Sequence, residues 1–372
     1  MTEHVRAVHP EPNMVQLLTP EGQRVEHPDY PLEISDDEIA ALYRDLVLVR
    51  RIDSEAIALQ RQGELGLWAS LLGQEAAQIG AGRAMRTQDM AFPTYREHGV
   101  AWCRDVDPLT LLSLWRGTNL GGWNPNSNNF NLYTIVIGAQ TLHAAGYAMG
   151  VLRDGAVGTG DPTRDTAVLA FFGDGASSQG DVNEAFVWAG AGNLPVVFFC
   201  QNNQWAISEP VERQSRVPLF QRASGFGFPG LRVDGNDVLA CLAVTRKALD
   251  DARNAQGPTL IEAYTYRMSP HTTNDDPRRY RLGSEAETWK LKDPIERVRA
   301  YLTREAKIDP AFFAGVEAES LALAERLRAG CRALVDPSPE SVFEHVHVEM
   351  PDELREQRDA FVDFVGSVEV AS

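Results

Sequence analysis

The sequence predicts an α/β fold, a parallel sheet flanked by helices, and three observations predict it. Val168-Leu169-Ala170-Phe171-Phe172 and Leu194 to Cys200 are apolar runs of strand length. A helix-like segment, Ser177 to Ala191, lies between them and completes one βαβ unit. A further helix and strand follow, Asp237 to Ala255 and Thr259 to Tyr266.

Parallel strands of such a unit place their following loops at one edge of the sheet. The first strand opens into Gly173-Asp174-Gly175 and the second into Gln201-Asn202-Asn203. Asp174 and Asn203, 29 positions apart, are therefore expected side by side. A carboxylate and an amide carbonyl are hard oxygens of the kind Mg²⁺ takes while it also holds phosphates. Gly173 and Gly175 let the backbone turn sharply and approach a ligand. The helix that follows offers its N-terminus to an anion. Metal and helix terminus together point to a diphosphate. A tight turn with a capping Asp and an ordinary Asn-rich loop would explain Asp-Gly alone; the pairing directly after two strands weighs against it.

The other elements follow in order. Residues 1–34 read as an extended, proline-rich arm, and 35–372 as one α/β domain with C-terminal helices. Ser35-Asp36-Asp37-Glu38 is a capping box. It opens a long helix with Ile39, Leu42, Leu46, Val49, Ile52 and Leu59 on one face. Gly63 to Leu72 is a loop, and Gly73-Gln74-Glu75-Ala76-Ala77 starts the next helix. Asp107-Pro108 opens another, and Gly117 to Asn131 is a Gly/Asn-rich loop. Val211 to Gly235 is mostly irregular, with a short strand near Leu231-Val233. Ser269 to Gly283 is a polar loop, and helices fill most of the chain from Ala286 onward.

Composition narrows the function classes. A chain of 372 residues buries a sizeable core. A net charge of −17 disfavours nucleic acid. No apolar run is long enough to span a bilayer, and Met1 to Pro12 lacks an apolar signal core. Cys103, Cys200, Cys241 and Cys331 show neither CxxC nor zinc spacing, so they read as reduced, in a cytoplasmic setting.

The string Gly173-Asp174-Gly175-Ala176-Ser177-Ser178-Gln179-Gly180, then Glu184-Ala185, Leu194-Pro195 and Asn202-Asn203-Gln204-Trp205-Ala206-Ile207-Ser208, resembles the α subunit of the thiamine-diphosphate-dependent 2-oxo acid dehydrogenases. These are the decarboxylating components of the pyruvate and branched-chain complexes. The resemblance covers about Val15 to Leu302 and implies the thiamine-diphosphate-binding fold. Enzymes of that kind with the whole site in one chain need two α/β domains, and this chain shows one GDG/NN unit. The resemblance therefore implies a separate β subunit, as α2β2, which supplies the glutamate that activates the pyrimidine. It also implies a lipoyl-bearing acyltransferase as acceptor and a small 2-oxo acid as substrate.

Site residues carry over by motif. Asp174, Asn203 and the main-chain carbonyl of Trp205 are the implied Mg²⁺ ligands. Gly175, Ala176, Tyr95 and Arg96 are implied to fix the diphosphate, and an Arg fork suits phosphate oxygens. Read by itself, Arg96 is equally a surface residue paired with Glu97 or Glu55. In Ile135-Val136-Ile137-Gly138-Ala139-Gln140, Ile137 is implied to prop the cofactor in a bent shape and Ile135 to hold the aminopyrimidine through its backbone. Plain core packing is the alternative for Ile137. His271, followed by Thr272, matches a histidine bordering the site. It is expected to stabilise the phosphate or a developing charge, or to transfer a proton near neutral pH.

Two departures bear on substrate. Ala69 stands where pyruvate-specific relatives place a histidine, and Leu67, Trp68 and Leu71 would give a wider, greasier pocket. That, with the long arm before Ser35, favours branched-chain 2-oxo acids over pyruvate or acetoin. The other departure is Gln201, where some relatives carry Arg or Glu before the Asn pair, which leaves a phosphate contact open. Gly225-Phe226-Gly227-Phe228-Pro229-Gly230 fits G-x-G-x-x-G but follows irregular chain, so NAD binding is not expected. A non-catalytic regulatory subunit is the remaining rival, and intact Asp174, Asn203 and His271 speak against it.

Overall fold

The computed structural model describes residues 14–119 and 122–369. Residues 1–13 of the predicted arm, and Leu120 and Gly121 of the predicted Gly/Asn loop, lie outside the described residues. Six strands form one parallel sheet: β1 (Met14–Val15), β2 (Met90–Phe92), β3 (Val168–Gly173), β4 (Val196–Asn202), β7 (Gly230–Asp234) and β8 (Thr259–Tyr264). They lie in the order β1-β7-β8-β4-β3-β2, while β5 (Trp205–Ala206) and β6 (Glu209–Pro210) form a small antiparallel ribbon after β4.

Both faces of the sheet are covered, which is why β3 and β4 read as unbroken apolar runs. Leu169, Phe171, Val197, Phe199 and Ile261 face a core shared with the helices Asp36–Arg61, Glu75–Ala84 and Val238–Arg253. Their neighbours Val168, Ala170, Phe172, Val196, Phe198 and Cys200 face the opposite core, under Ala139–Arg153 and Gly180–Gly192. The register Phe172↔Cys200 and Gly173↔Gln201 ends both strands at one edge. It is this register that sets Asp174 and Asn203 beside each other.

The capping box is present: Ser35 accepts from Glu38 N while Glu38 accepts from Ser35 N at 2.8 Å. Other boundaries differ from expectation. The helix after Asp174 starts at Gly180 rather than Ser177, because Asp174–Ser178 first makes a tighter 3₁₀ turn, closed by Ser177 Oγ on Asp174 O at 2.6 Å. The arm is not wholly irregular, since Met14 and Val15 pair with Arg232 and Val233. The helix Ala139–Arg153 begins directly after Ile135-Val136-Ile137-Gly138, a stretch to which the sequence reading assigned no element. Strand β2 is three residues long, too short to carry a periodic signal.

One buried carboxylate joins the arm to the sheet. Asp237 Oδ2 accepts from Leu17 N and Leu18 N at 2.7 and 2.6 Å, and Oδ1 caps Val238–Arg253 through Leu239 N and Ala240 N. Asp237→Ala would strand four buried N–H groups. We expect it to cost about 3 kcal/mol or more and to open residues 14–34 to limited proteolysis before the core melts. Unchanged stability and an intact arm would contradict this.

Candidate active site

A cavity of about 240 Å³ opens at the carboxyl ends of β3 and β4. Most of the residues predicted from sequence line it: Tyr95, Arg96, Ile137, Asp174, Gly175, Ala176, Asn203, Trp205 and His271. Ile135 does not; it is 64% exposed on the loop before Gly138. Gln74, Thr94, Glu97, Thr134, Gln140 and Ile207 complete much of the wall. Leu67, Trp68 and Leu71 do not widen it. Trp68 and Leu71 are fully buried, with Trp68 stacked on His98 and donating Nε1–H to Asp53 at 2.7 Å. Their apolar character is spent on core packing, not on the cavity.

The approach of β5 explains the glycine after Asp174. A Cβ on Gly175 would come within 2.7 Å of the Ala206 Cβ, so only glycine lets the ribbon close over this turn. Asp174 is buried, and burial raises its carboxyl to about 6; Gln214, donating from Nε2 at 3.0 Å, and the charge of Arg267 pull it down. Asn203 Oδ1 accepts from Trp205 N at 3.3 Å, and its Nδ2 donates to Gln74 Oε1 at 3.1 Å. The Trp205 carbonyl accepts from Arg267 at 2.9 Å. Among the described residues no group of three or more His, Cys, Asp or Glu side chains could hold a metal. The oxygens here are a carboxylate, an amide and a main-chain carbonyl, which is a set for a hard divalent ion.

Arg96 is buried and does not pair with Glu97 or Glu55. It donates to the carbonyls of Ser70 and His271, the latter at 2.9 Å. Glu97 instead accepts from Thr94 and from Gln201, and Glu55 accepts from Arg328. That answers the question of Gln201. Its amide bridges Glu97 and Gln78, and Gln78 also holds Arg96 O at 3.0 Å, so Gln201 braces the turn that presents Tyr95 and Arg96.

His271 faces two cations. Its Nδ1 lies 3.3 Å from both Arg96 Nη2 and Arg267 Nη1, and guanidinium nitrogens only donate. Nδ1 is therefore the acceptor and the proton sits on Nε2, 3.4 Å from Tyr95 Oη. Burial, with Arg96 and Arg267, pushes the imidazole down to about 3. The neutral imidazole, with its proton on Nε2, is therefore the form favoured in the free chain. Arg267 was missed by sequence reading, although it stands in the string around His271. It donates to Trp205 O, Ile207 O and Tyr280 Oη and so ties the ribbon to the 271–281 loop.

The Gly225–Gly230 motif runs into β7 rather than out of a strand, so it lacks the geometry of a dinucleotide turn. No helix among the described residues is long and apolar enough to cross a membrane.

The family model for the dehydrogenase E1 component matches residues 43–321. The chain is 43% identical over 350 residues to 3-methyl-2-oxobutanoate dehydrogenase subunit alpha of Mycobacterium tuberculosis (strain ATCC 25618 / H37Rv), covering 93% of this chain and 92% of that one. It is 38% identical over 309 residues to pyruvate dehydrogenase E1 component subunit alpha of Bacillus cereus, covering 81% and 79%. To the subunit of that name from Staphylococcus aureus (strain COL) it is 35% identical over 364 residues, covering 94% and 92%.

The Asp174 carboxyl gives a signed pH test. Its proton is held more tightly folded (about 6) than at its ordinary value of 3.8. Stability from this group is full below about pH 4 and is lost as pH rises through about 6. Asp174→Asn should therefore stabilise the cofactor-free protein at about pH 7.5, by up to about 3 kcal/mol, and have little effect at about pH 4. Thermal melts at the two pH values check it; equal effects at both would contradict the burial argument.

Proposed function

The chain belongs to the dehydrogenase E1 component family, and on that premise we propose that it is the α subunit of the decarboxylating component of a branched-chain 2-oxo acid dehydrogenase complex. The observation that carries the reading is the convergence on one cavity of Asp174, Asn203 and the Trp205 carbonyl with Tyr95, Arg96 and His271. The identity to the M. tuberculosis branched-chain subunit supports the substrate class over pyruvate.

The residues present fit thiamine diphosphate with Mg²⁺. Three hard oxygens suit the ion, and Gln74 Nε2 and Gln140 Oε1 are buried polar atoms without a partner among the described residues. Asp174, Asn203 and Trp205 O would hold the Mg²⁺. Gly175 and Ala176, at the start of a helical turn whose first N–H groups have no partner within the turn, would hold the diphosphate together with Tyr95 and Arg96. Ile137 would prop the bent cofactor, and Ile135 would reach it through its backbone once the exposed 131–137 loop is covered. When bound, the cofactor supplies the carbon nucleophile and the electron sink for loss of carbon dioxide.

This chain's residues set the surroundings of that chemistry. Arg96 on the cavity wall and Arg267 behind it are buried, and their positive charge acts more strongly there than in water. His271, fixed as the Nε2–H form, donates a hydrogen bond at the mouth without carrying charge. A β subunit would complete the site, and the exposed Ile135 and Val136, with Val187 and Trp188 on Gly180–Gly192, are an apolar surface that fits such a cover. The acyl group would pass to a lipoyl arm of an acyltransferase core. The same reading includes a cytoplasmic location with four reduced cysteines, all of them free and buried.

The test is the α chain co-purified with the subunit encoded beside it, assayed on a panel of 2-oxo acids. Branched-chain acids should exceed pyruvate in kcat/KM by about tenfold, the order that a few methylenes supply. Asp174→Ala should abolish turnover and weaken thiamine-diphosphate binding by two orders of magnitude or about that. Pyruvate preferred on the panel would overturn the substrate class, and intact cofactor binding in Asp174→Ala would overturn the site.

A further inference from the structure

An asparagine that ligates a cation must present its carbonyl end, and nothing in the residue itself prefers that end. A rotation of the amide by half a turn would aim two N–H donors at the ion. Asn203 therefore needs a neighbour that accepts from Nδ2. Gln74 is placed to be it: it is 1% exposed, lines the same cavity, and takes the Nδ2 proton on Oε1 at 3.1 Å. At its other end Asn203 Oδ1 accepts the long contact from Trp205 N at 3.3 Å.

Gln74 is itself held firmly. Gly73 before it takes φ +94, and a Cβ there would meet the Tyr266 carbonyl at 2.3 Å. Gly73 N donates to Glu75 Oε2 at 2.9 Å, Gly73 O accepts from Thr265 Oγ1 at 2.6 Å, and Gln74 N donates to Leu71 O at 2.8 Å. The side chain thus leaves a backbone fixed from three sides. Its Nε2 is buried with no partner among the described residues. A donor in that state matches an anionic oxygen of a cavity ligand, and such a contact would hold Oε1 on Asn203.

We propose that Gln74 is the positioning residue that turns the carbonyl of Asn203 toward the divalent cation, through the Gln74 Oε1 to Asn203 Nδ2 hydrogen bond. The proposal rests on the metal reading of Asp174 and Asn203. It separates Gln74 from a mere helix-start residue, because the required feature is an acceptor at the end of its side chain.

The experiment is Mn²⁺ binding, followed by the electron paramagnetic resonance of free Mn²⁺, in the metal-stripped α–β assembly with thiamine diphosphate present. Gln74→Met keeps the volume and removes the acceptor, and should weaken Mn²⁺ by about tenfold or more while the metal-free melting temperature holds. Gln74→Glu keeps an acceptor for Asn203 Nδ2 but loses the Nε2–H donor, and should weaken Mn²⁺ less than Gln74→Met does. In an Asn203→Asp background either carboxylate oxygen serves the ion, so Gln74→Met should there cost about twofold or less. Full Mn²⁺ affinity in Gln74→Met, equal losses in Gln74→Glu and Gln74→Met, or an undiminished loss in the Asn203→Asp background would each overturn the proposal. Should Gln74→Met fail to assemble, a Mn²⁺-bound structure of the unmodified assembly decides: Asn203 Nδ2 out of hydrogen-bonding reach of Gln74 overturns it, and contact supports it. Asp174→Ala is the separate control, since tight Mn²⁺ in that variant would remove the metal reading itself.

Discussion

Parallel pairing of β3 with β4 is the constraint on which the site depends. The ladder from Val168↔Val196 to Gly173↔Gln201 ends two strands together, so the chain leaves the sheet twice at one place. A slip of one residue would turn every side chain of β3 to the other face and move Asp174 relative to Asn203. That register is held by two cores at once, one through Phe171 and Phe199, the other through Phe172 and Phe198. Apolar packing on both faces thereby fixes the spacing of two polar groups that contribute nothing to it.

The charge arrangement at this edge is unfavourable until something fills it. Asp174 is a buried carboxyl whose desolvation outweighs its partners. Arg267, completely buried, is pushed down to about 10 by burial and by Arg96 nearby, and His271 is forced neutral by both. A divalent cation would answer the carboxylate, and a diphosphate would answer the two guanidiniums. The two ligands carry opposite charges, as do Asp174 on the cavity wall and the Arg96–Arg267 pair around His271. Stability given up in the free chain is what makes the cavity receptive.

Much of this was legible in the sequence because it is written in contiguous strings. Gly173-Asp174-Gly175 and Asn202-Asn203 follow apolar runs, so both the fold class and the meeting of Asp174 with Asn203 at one cavity could be read from local order. The capping box at Ser35 was legible for the same reason. Contacts across long separations were not. Nothing near Asp237 announces that it receives Leu17 and Leu18, nor does Gln201 reveal its bond to Glu97, 104 positions away. Trp68 and Leu71 were misread as cavity lining because an apolar side chain gives no sign of which side of a wall it packs on. The neutral state of His271 was equally hidden, since Arg96 reaches it from 175 positions away.

The cavity as one chain forms it is unfinished on the side of the 131–137 loop. Ile135 and Val136 are 64% and 71% exposed, and Trp188 on the helix Gly180–Gly192 is half exposed. The opposite walls are tight, with Gln74, Gln140, Asp174 and Arg96 almost wholly buried. A site that relies on fixed charges needs water excluded on every side, because the same Arg96 and Arg267 act far more weakly in a high dielectric. Apolar side chains would not stay uncovered at the rim of such a site unless another surface seats on them. On the proposed reading, the polar residues of the cavity and the apolar residues at its rim are parts of one requirement: this chain would supply the charges, and a partner seated on Ile135 and Val136 would supply the dryness in which those charges act.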